Sequence, residues 1–160
     1  MSDQHYKLAQ QLGLQLKKMG WQLAVSESCT GGGLAQAVTA VPAASSWFDR
    51  GFVTYSNAAK IELLGVHQET LEKYGAVSEQ TAQEMVSGAL RNSHADIAIS
   101  ITGIAGPTGG TPEKPVGTVW FALAKKGENP QARLANFQGN RHAIQQSAIT
   151  FALTWLLEAT

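Results

Sequence analysis

The chain has 160 residues, with twelve basic and twelve acidic side chains, one cysteine and four histidines. That length suits one domain spanning residues 1–160, able to bury roughly 70% of the surface its unfolded chain exposes. Balanced charge, with no basic block beyond Lys17-Lys18 and Lys125-Lys126, argues against nucleic-acid binding; a lone cysteine excludes an internal disulfide; and four scattered histidines lack zinc-site spacing.

The N-terminal MSDQHYKLAQQ has no apolar signal core, and no later run approaches the ~20 apolar residues that cross a bilayer, so the expectation is a cytoplasmic protein outside the membrane. Leu8, Leu12 and Leu16 recur every four residues beside Ala9 and Met19, which predicts an amphipathic helix over 3–19 stopped by Gly20. WQLAVS (21–26) alternates Trp21, Leu23 and Val25 as a strand does. After the glycines at 31–33, LAQAVTAV reads as a small-residue helix ended by Pro42. WFDRGFVTYS (47–56) suits a second strand, NAAKIELLG (57–65) a helix with Gly65 as its stop, and QETLEKYG (68–75) a short helix.

Ser78 is a fitting N-cap for a helix over 79–93 that buries Ala82, Met85, Val86, Ala89 and Leu90. DIAISITG (96–103) is almost wholly apolar, as a strand covered on both faces requires. The glycine- and proline-rich 103–117 is a loop, and 117–125 and 132–138 flank the turn KGENP as an antiparallel hairpin. Asn140 can cap a final helix over 141–158 with Ile144, Ala148, Phe151, Ala152, Trp155 and Leu156 along one stripe. Strands and helices that alternate early, with a hairpin late, predict an α/β fold: a mixed sheet between two helical layers, a three-layer α/β/α sandwich.

Three glycine-bearing segments, ESCTGGG, TGIAGPTGG and QGNR, fall at strand ends or helix starts, where ligands of open α/β sheets collect and free backbone N–H groups meet anions. Neither GxGxxG nor GxxxxGK[ST] occurs in a strand-to-helix setting, and GxSxG is absent, so a dinucleotide site, a P-loop and a nucleophile elbow are all disfavoured. Ser28, Cys29 and Thr30 stand in a row before the glycines. Ser28 reads either as a nucleophile beside backbone N–H groups or as a helix cap. Cys29 reads as a small buried hydrophobe. Lys60, in the apolar AAKIELL, is either a surface lysine lying along its stem or a desolvated base. His5, His67, His94 and His142 read as surface or element-end residues, which leaves no Ser-His-Asp arrangement.

ESCTGG (27–32), GFVTYSNAAK (51–60), TGIAGPTGG (102–110) and KPVGTVWFA (114–122) together resemble the signature stretches of the CinA C-terminal domain family, over the whole chain and in the same order. The resemblance implies a stand-alone member that lacks the larger N-terminal domain of longer CinA proteins. It further implies hydrolysis of nicotinamide mononucleotide to nicotinic acid mononucleotide and ammonia, with no cofactor or metal, in a homodimer. On that pattern Ser28 is the nucleophile, Lys60 the base, and Tyr55 the residue that orients or polarises the lysine. Thr30, Gly31, Gly32, Asn57, Thr102, Gly103 and Gly106 fall on substrate-lining positions, and Arg141 on the arginine facing the substrate. The family's GDR triplet is GNR here, which puts Asn140 in place of an aspartate. The competing function is a nucleotide-binding module without turnover, in which the same loops hold a phosphate and Ser28 and Thr30 only donate hydrogen bonds.

Overall fold

The computed structural model describes residues 2–160. In chain order it contains α1 (Asp3–Met19), β1 (Leu23–Glu27), α2 (Gly33–Thr39), β2 (Phe48–Val53), α3 (Asn57–Leu64), α4 (Gln68–Tyr74), α5 (Glu79–Arg91), β3 (Ile97–Gly103), β4 (Thr118–Lys125), β5 (Gln131–Asn136) and α6 (Arg141–Glu158). Local chemistry sets many of the boundaries. Ser2, Ser56, Ser78 and Asn140 each accept a backbone N–H three residues on, and Gly20 and Gly65 close α1 and α3 in the left-handed region.

The sheet runs β2-β1-β3-β4-β5, with β2, β1 and β3 parallel and β4 and β5 added antiparallel. It is the mixed sheet of an α/β sandwich. Its two faces differ in side-chain size. Leu23, Val25, Ile97, Ile99, Ile101, Val119 and Phe121 join the core beneath α1, α2 and α6. The opposite face presents Ala24, Ala98, Ala122 and Ala124 to α5 and α3. Alanines let those helices sit close, and Gly88 of α5 does the same for α3: a Cβ there would meet Leu64 O at 1.9 Å. The helix that carries Lys60 is thereby fixed in depth.

The strand extents depart from the expected ones where edges matter. β2 ends at Val53 rather than Ser56, because Thr54 N donates to Glu27 O as its last ladder bond and the chain then turns into α3. A single 3-10 turn at Ala44–Ser46 lies between α2 and β2, unmarked by any sequence signal. His5, expected at the surface, is buried: its Nε2 lies 2.7 Å from Thr150 Oγ1 and 3.2 Å from Gln146 O, under α6. Of the tryptophans, Trp47 and Trp155 are core residues and Trp21 and Trp120 are half-buried. No helix among the described residues is long and apolar enough to cross a membrane.

β1 leads into α2 on one face of the sheet, while its neighbour β2 leads into α3 on the other. Adjacent parallel strands whose helices leave on opposite faces open a crevice at their C-terminal ends. Ser28 follows one of these strands and Lys60 the other.

Candidate active site

The turn after β1 is built by backbone and by one buried carboxylate. Ser28 N donates to Ile101 O (3.0 Å), Gly31 N to Ser28 O (3.1 Å) and Gly33 N to Thr30 O (2.9 Å). Gly31 and Gly32 have φ of 58° and 99°, a region that side-chain-bearing residues rarely enter. Glu27, wholly buried, accepts from Thr30 Oγ1 (2.6 Å), Leu34 N (2.9 Å) and Ala35 N (3.0 Å). The cap of α2 is thus Glu27, reaching from the strand, and Thr30, expected among the substrate-lining residues, directs its hydroxyl to that carboxylate. Glu27→Ala would strand two helix N–H groups and a buried hydroxyl. It is expected to lower stability by about 3 kcal/mol in denaturant titration. A loss under about 1 kcal/mol would mean the carboxylate holds little.

Of the amides from 28 to 32, those of Ser28 and Gly31 are committed to backbone acceptors, which narrows the expected oxyanion donors. Among the described residues, the N–H groups of Cys29, Thr30 and Gly32 have no protein acceptor.

Lys60 reaches the turn from below. Only 1% exposed, it places Nζ 2.9 Å from Ser28 Oγ, 2.8 Å from Thr54 O and 3.3 Å from Tyr55 O. Burial lowers its pKa to about 8, with the neighbouring Cys29 opposing the shift. The two carbonyls are acceptors only, so in a neutral amine they take its two N–H groups and leave the lone pair for the Ser28 hydroxyl. An amine so held is arranged to remove the serine proton. Cys29 is turned into the core, 5% exposed, and burial pushes its thiol up to about 12.

Tyr55 reaches Lys60 through its backbone. Its carbonyl, not its ring, meets Lys60; its hydroxyl, on a largely exposed side chain, accepts from Arg141 Nη2 at 3.0 Å. Arg141 Nη1 donates to Gly106 O at 2.7 Å, so the arginine joins the loop after β3 to the turn before α3. Asn140 accepts from Ala143 N (2.9 Å) and caps α6.

Ser28, Tyr55, Asn57, Lys60, Thr102, Gly103 and Arg141 line one cavity of about 260 Å³, together with Cys29 and the apolar Ala76, Val77 and Ala105. Thr30, Gly31, Gly32 and Gly106 lie outside that lining; Thr30, Gly31 and Gly106 shape it through the bonds above, and Gly32 through its left-handed backbone. Thr102 Oγ1 donates to Ala76 O (2.8 Å), which ties β3 to the far wall. Among the described residues, no acidic side chain lines the cavity. A larger groove, about 740 Å³, runs along α6 past His5 and Phe151, but it contains neither Ser28 nor Lys60 nor any Arg, Asp or Glu. No His/Cys/Asp/Glu cluster among the described residues could hold a metal ion.

Residues 5–160 match the family model described as the CinA C-terminal domain. The chain belongs to that family. Among CinA relatives, the protein named nicotinamide-nucleotide amidohydrolase PncC of Enterobacter agglomerans is 53% identical over 148 residues, which cover 92% of this chain and 90% of that one. The PncC protein of Pseudomonas putida is 44% identical over 151 residues, 94% of each chain. Among solved CinA structures, the competence/damage inducible protein CihA from Agrobacterium tumefaciens superposes with a TM-score of 0.96 at 40% identity, covering 99% of this chain and 96% of that one.

Proposed function

We propose that this protein is a nicotinamide-nucleotide amidohydrolase, converting nicotinamide mononucleotide and water to nicotinic acid mononucleotide and ammonia through a Ser28 nucleophile and a Lys60 base. The observation that carries the mechanism is the 2.9 Å approach of a buried, pKa-lowered lysine to a serine hydroxyl. The names of its relatives support the substrate.

An amide is a poor electrophile with a poor leaving group, so hydrolysis gains from division into acylation and deacylation. Neutral Lys60 takes the Ser28 proton as Oγ adds to the carboxamide carbon. The N–H groups left free in the turn stabilise the developing oxyanion, and the lysine ammonium then protonates departing ammonia. Water, activated by the same lysine, clears the nicotinoyl ester. Serine paired with lysine is a recognised variant of the triad.

Arg141, at the start of α6 on the rim of a cavity without acidic side chains, would receive the 5′-phosphate. Arg141→Ala is expected to weaken nicotinamide mononucleotide binding by about 1.5–3 kcal/mol, and the unphosphorylated riboside by less. Equal losses for the two in titration calorimetry would remove phosphate from its role. A phosphorylated substrate fits work in the cytoplasm. We also propose a homodimer, consistent with the exposed Leu14 and Leu134, and checked by light scattering.

Incubation of the purified protein with nicotinamide mononucleotide, with ammonia and the acid nucleotide assayed, tests the function. Equal amounts of both products support the amidase. Nucleotide binding without release would favour the binding module.

A further inference from the structure

Gln145 stands one turn into α6, and its Nε2 donates to Cys29 O at 3.0 Å. The Cys29–Thr30 peptide is the central one of the turn closed by Gly31 N on Ser28 O. In such a turn the central peptide is the plane that rotates: turning it by about 180° interconverts the two common turn types. A trans peptide points its C=O and N–H in opposite directions, so whatever holds the carbonyl also holds the amide. With Cys29 O drawn towards α6, Thr30 N–H is held pointing away from that helix. It follows Cys29 N–H, and neither has an acceptor among the described residues. Cys29, next to the nucleophile, lines the cavity, and Thr30, outside the lining, is the residue after it.

We propose that Gln145 is a positioning residue that locks the Cys29–Thr30 peptide so that these two N–H groups form the oxyanion site. The proposal rests on the acyl-transfer reading above. As the bond from Ser28 Oγ to the carbonyl carbon forms, the serine proton passes to Lys60 and the C=O π pair moves onto oxygen. That oxygen accepts from Cys29 N–H and Thr30 N–H. When the pair returns, the C–N bond breaks and Lys60 gives its proton to the leaving nitrogen.

Gln145 touches neither Ser28 nor Lys60 and does not line the cavity. Its loss should therefore act on the transition state and leave substrate binding alone. Thr30 is also braced through Oγ1 on Glu27, so the peptide would be loosened rather than freed. The effect should fall below the ~10²–10³-fold of an oxyanion donor removed outright.

The test uses the full chain with Gln145→Met, which keeps the length and removes the donor, and Gln145→Glu, which sets a carboxylate against the carbonyl. The readouts are kcat and KM for nicotinamide mononucleotide, and the rate of Ser28 acylation by p-nitrophenyl acetate, an acyl donor that needs no nucleotide site. Gln145→Met should lower acylation and kcat by about 10-fold, with KM within about 2-fold of wild type, and Gln145→Glu should be slower still. Should Gln145→Glu fail to fold, Gln145→Met decides alone. Acylation within about 2-fold of wild type in Gln145→Met, or a loss confined to KM, would overturn the proposal. If the wild-type protein were acylated by the ester but released no ammonia from the nucleotide, the substrate assignment would fail and the acylation rates would still decide for or against Gln145.

Discussion

Lys60→Arg should abolish turnover, lowering kcat by about 10³–10⁴-fold, although the positive charge is kept. Proton affinity separates the two side chains. Burial brings Lys60 to a pKa of about 8, so a tenth or so of the molecules hold it neutral at pH 7 and most do above pH 9. A guanidinium stays protonated throughout and has no lone pair to offer Ser28. It is also planar and bulkier, in a site where Nζ already meets three oxygens within 3.3 Å. Lys60→Ala should be equally inactive for the simpler reason that the base is gone. In the wild type the working form is the deprotonated one, so kcat/KM should rise tenfold per pH unit below about 8 and level off above it. Substrate binding should survive both substitutions better than catalysis. An arginine variant near wild-type rate, or a wild-type profile flat from pH 6 to 9, would remove Lys60 from the base role.

Much of the fold could be read in advance because its signals are local. The final helix begins at Arg141 and ends at Glu158, set by the Asn140 cap and the stripe from Ile144 to Leu156; α1 is bounded as sharply by Gly20. The nearly all-apolar 96–103 is β3, buried on both faces. The misses are non-local. Nothing near His5 in sequence foretells its burial against Gln146 and Thr150, 141 and 145 residues away. Glu27 stands in ESCTGGG, yet nothing local marks it as the cap of α2, because the donors lie seven and eight residues on and a strand glutamate is not a local capping pattern. Lys60 posed the opposite problem: its sequence surroundings allow a surface lysine as readily as a base, and only the depth at which Gly88 seats α3 separates the two. Tyr55 is expected to orient the lysine, and the atom that meets it is a carbonyl every residue carries, which no side-chain pattern can mark. Gln145 had no signal at all, since a glutamine on a helix face carries none until the turn it holds is seen.

Among the three adjacent nucleophiles, Ser28→Ala should lower kcat as far as Lys60→Arg does, while Cys29→Ala should keep most of the activity. Cysteine is intrinsically the better nucleophile, so reactivity alone would favour Cys29. Its environment argues against it. Cys29 is packed into the core, its thiol is pushed up to about 12 by burial, and the Lys60 amine is bonded to Ser28 Oγ instead. At neutral pH only on the order of 10⁻⁵ of the thiol would be ionised. Thr30→Ala should fall between the two, since it removes the hydroxyl that ties the turn to Glu27 without touching the reacting atoms. A thiol-alkylating reagent should modify the native protein slowly and leave turnover largely intact. Rapid alkylation that stops turnover would contradict this ordering.

The central claim is that the carboxamide is cleaved through an ester on Ser28 with Lys60 as the base, and the intermediate itself can be weighed. Wild-type protein is mixed with nicotinamide mononucleotide, quenched in acid during turnover, digested and mapped by mass spectrometry. The expected result is a mass increase equal to nicotinamide mononucleotide less ammonia on the peptide containing Val25–Gly33, assigned by fragmentation to Ser28 and absent from Ser28→Ala. An adduct on Cys29, or ammonia released at the wild-type rate by Ser28→Ala, would contradict the account.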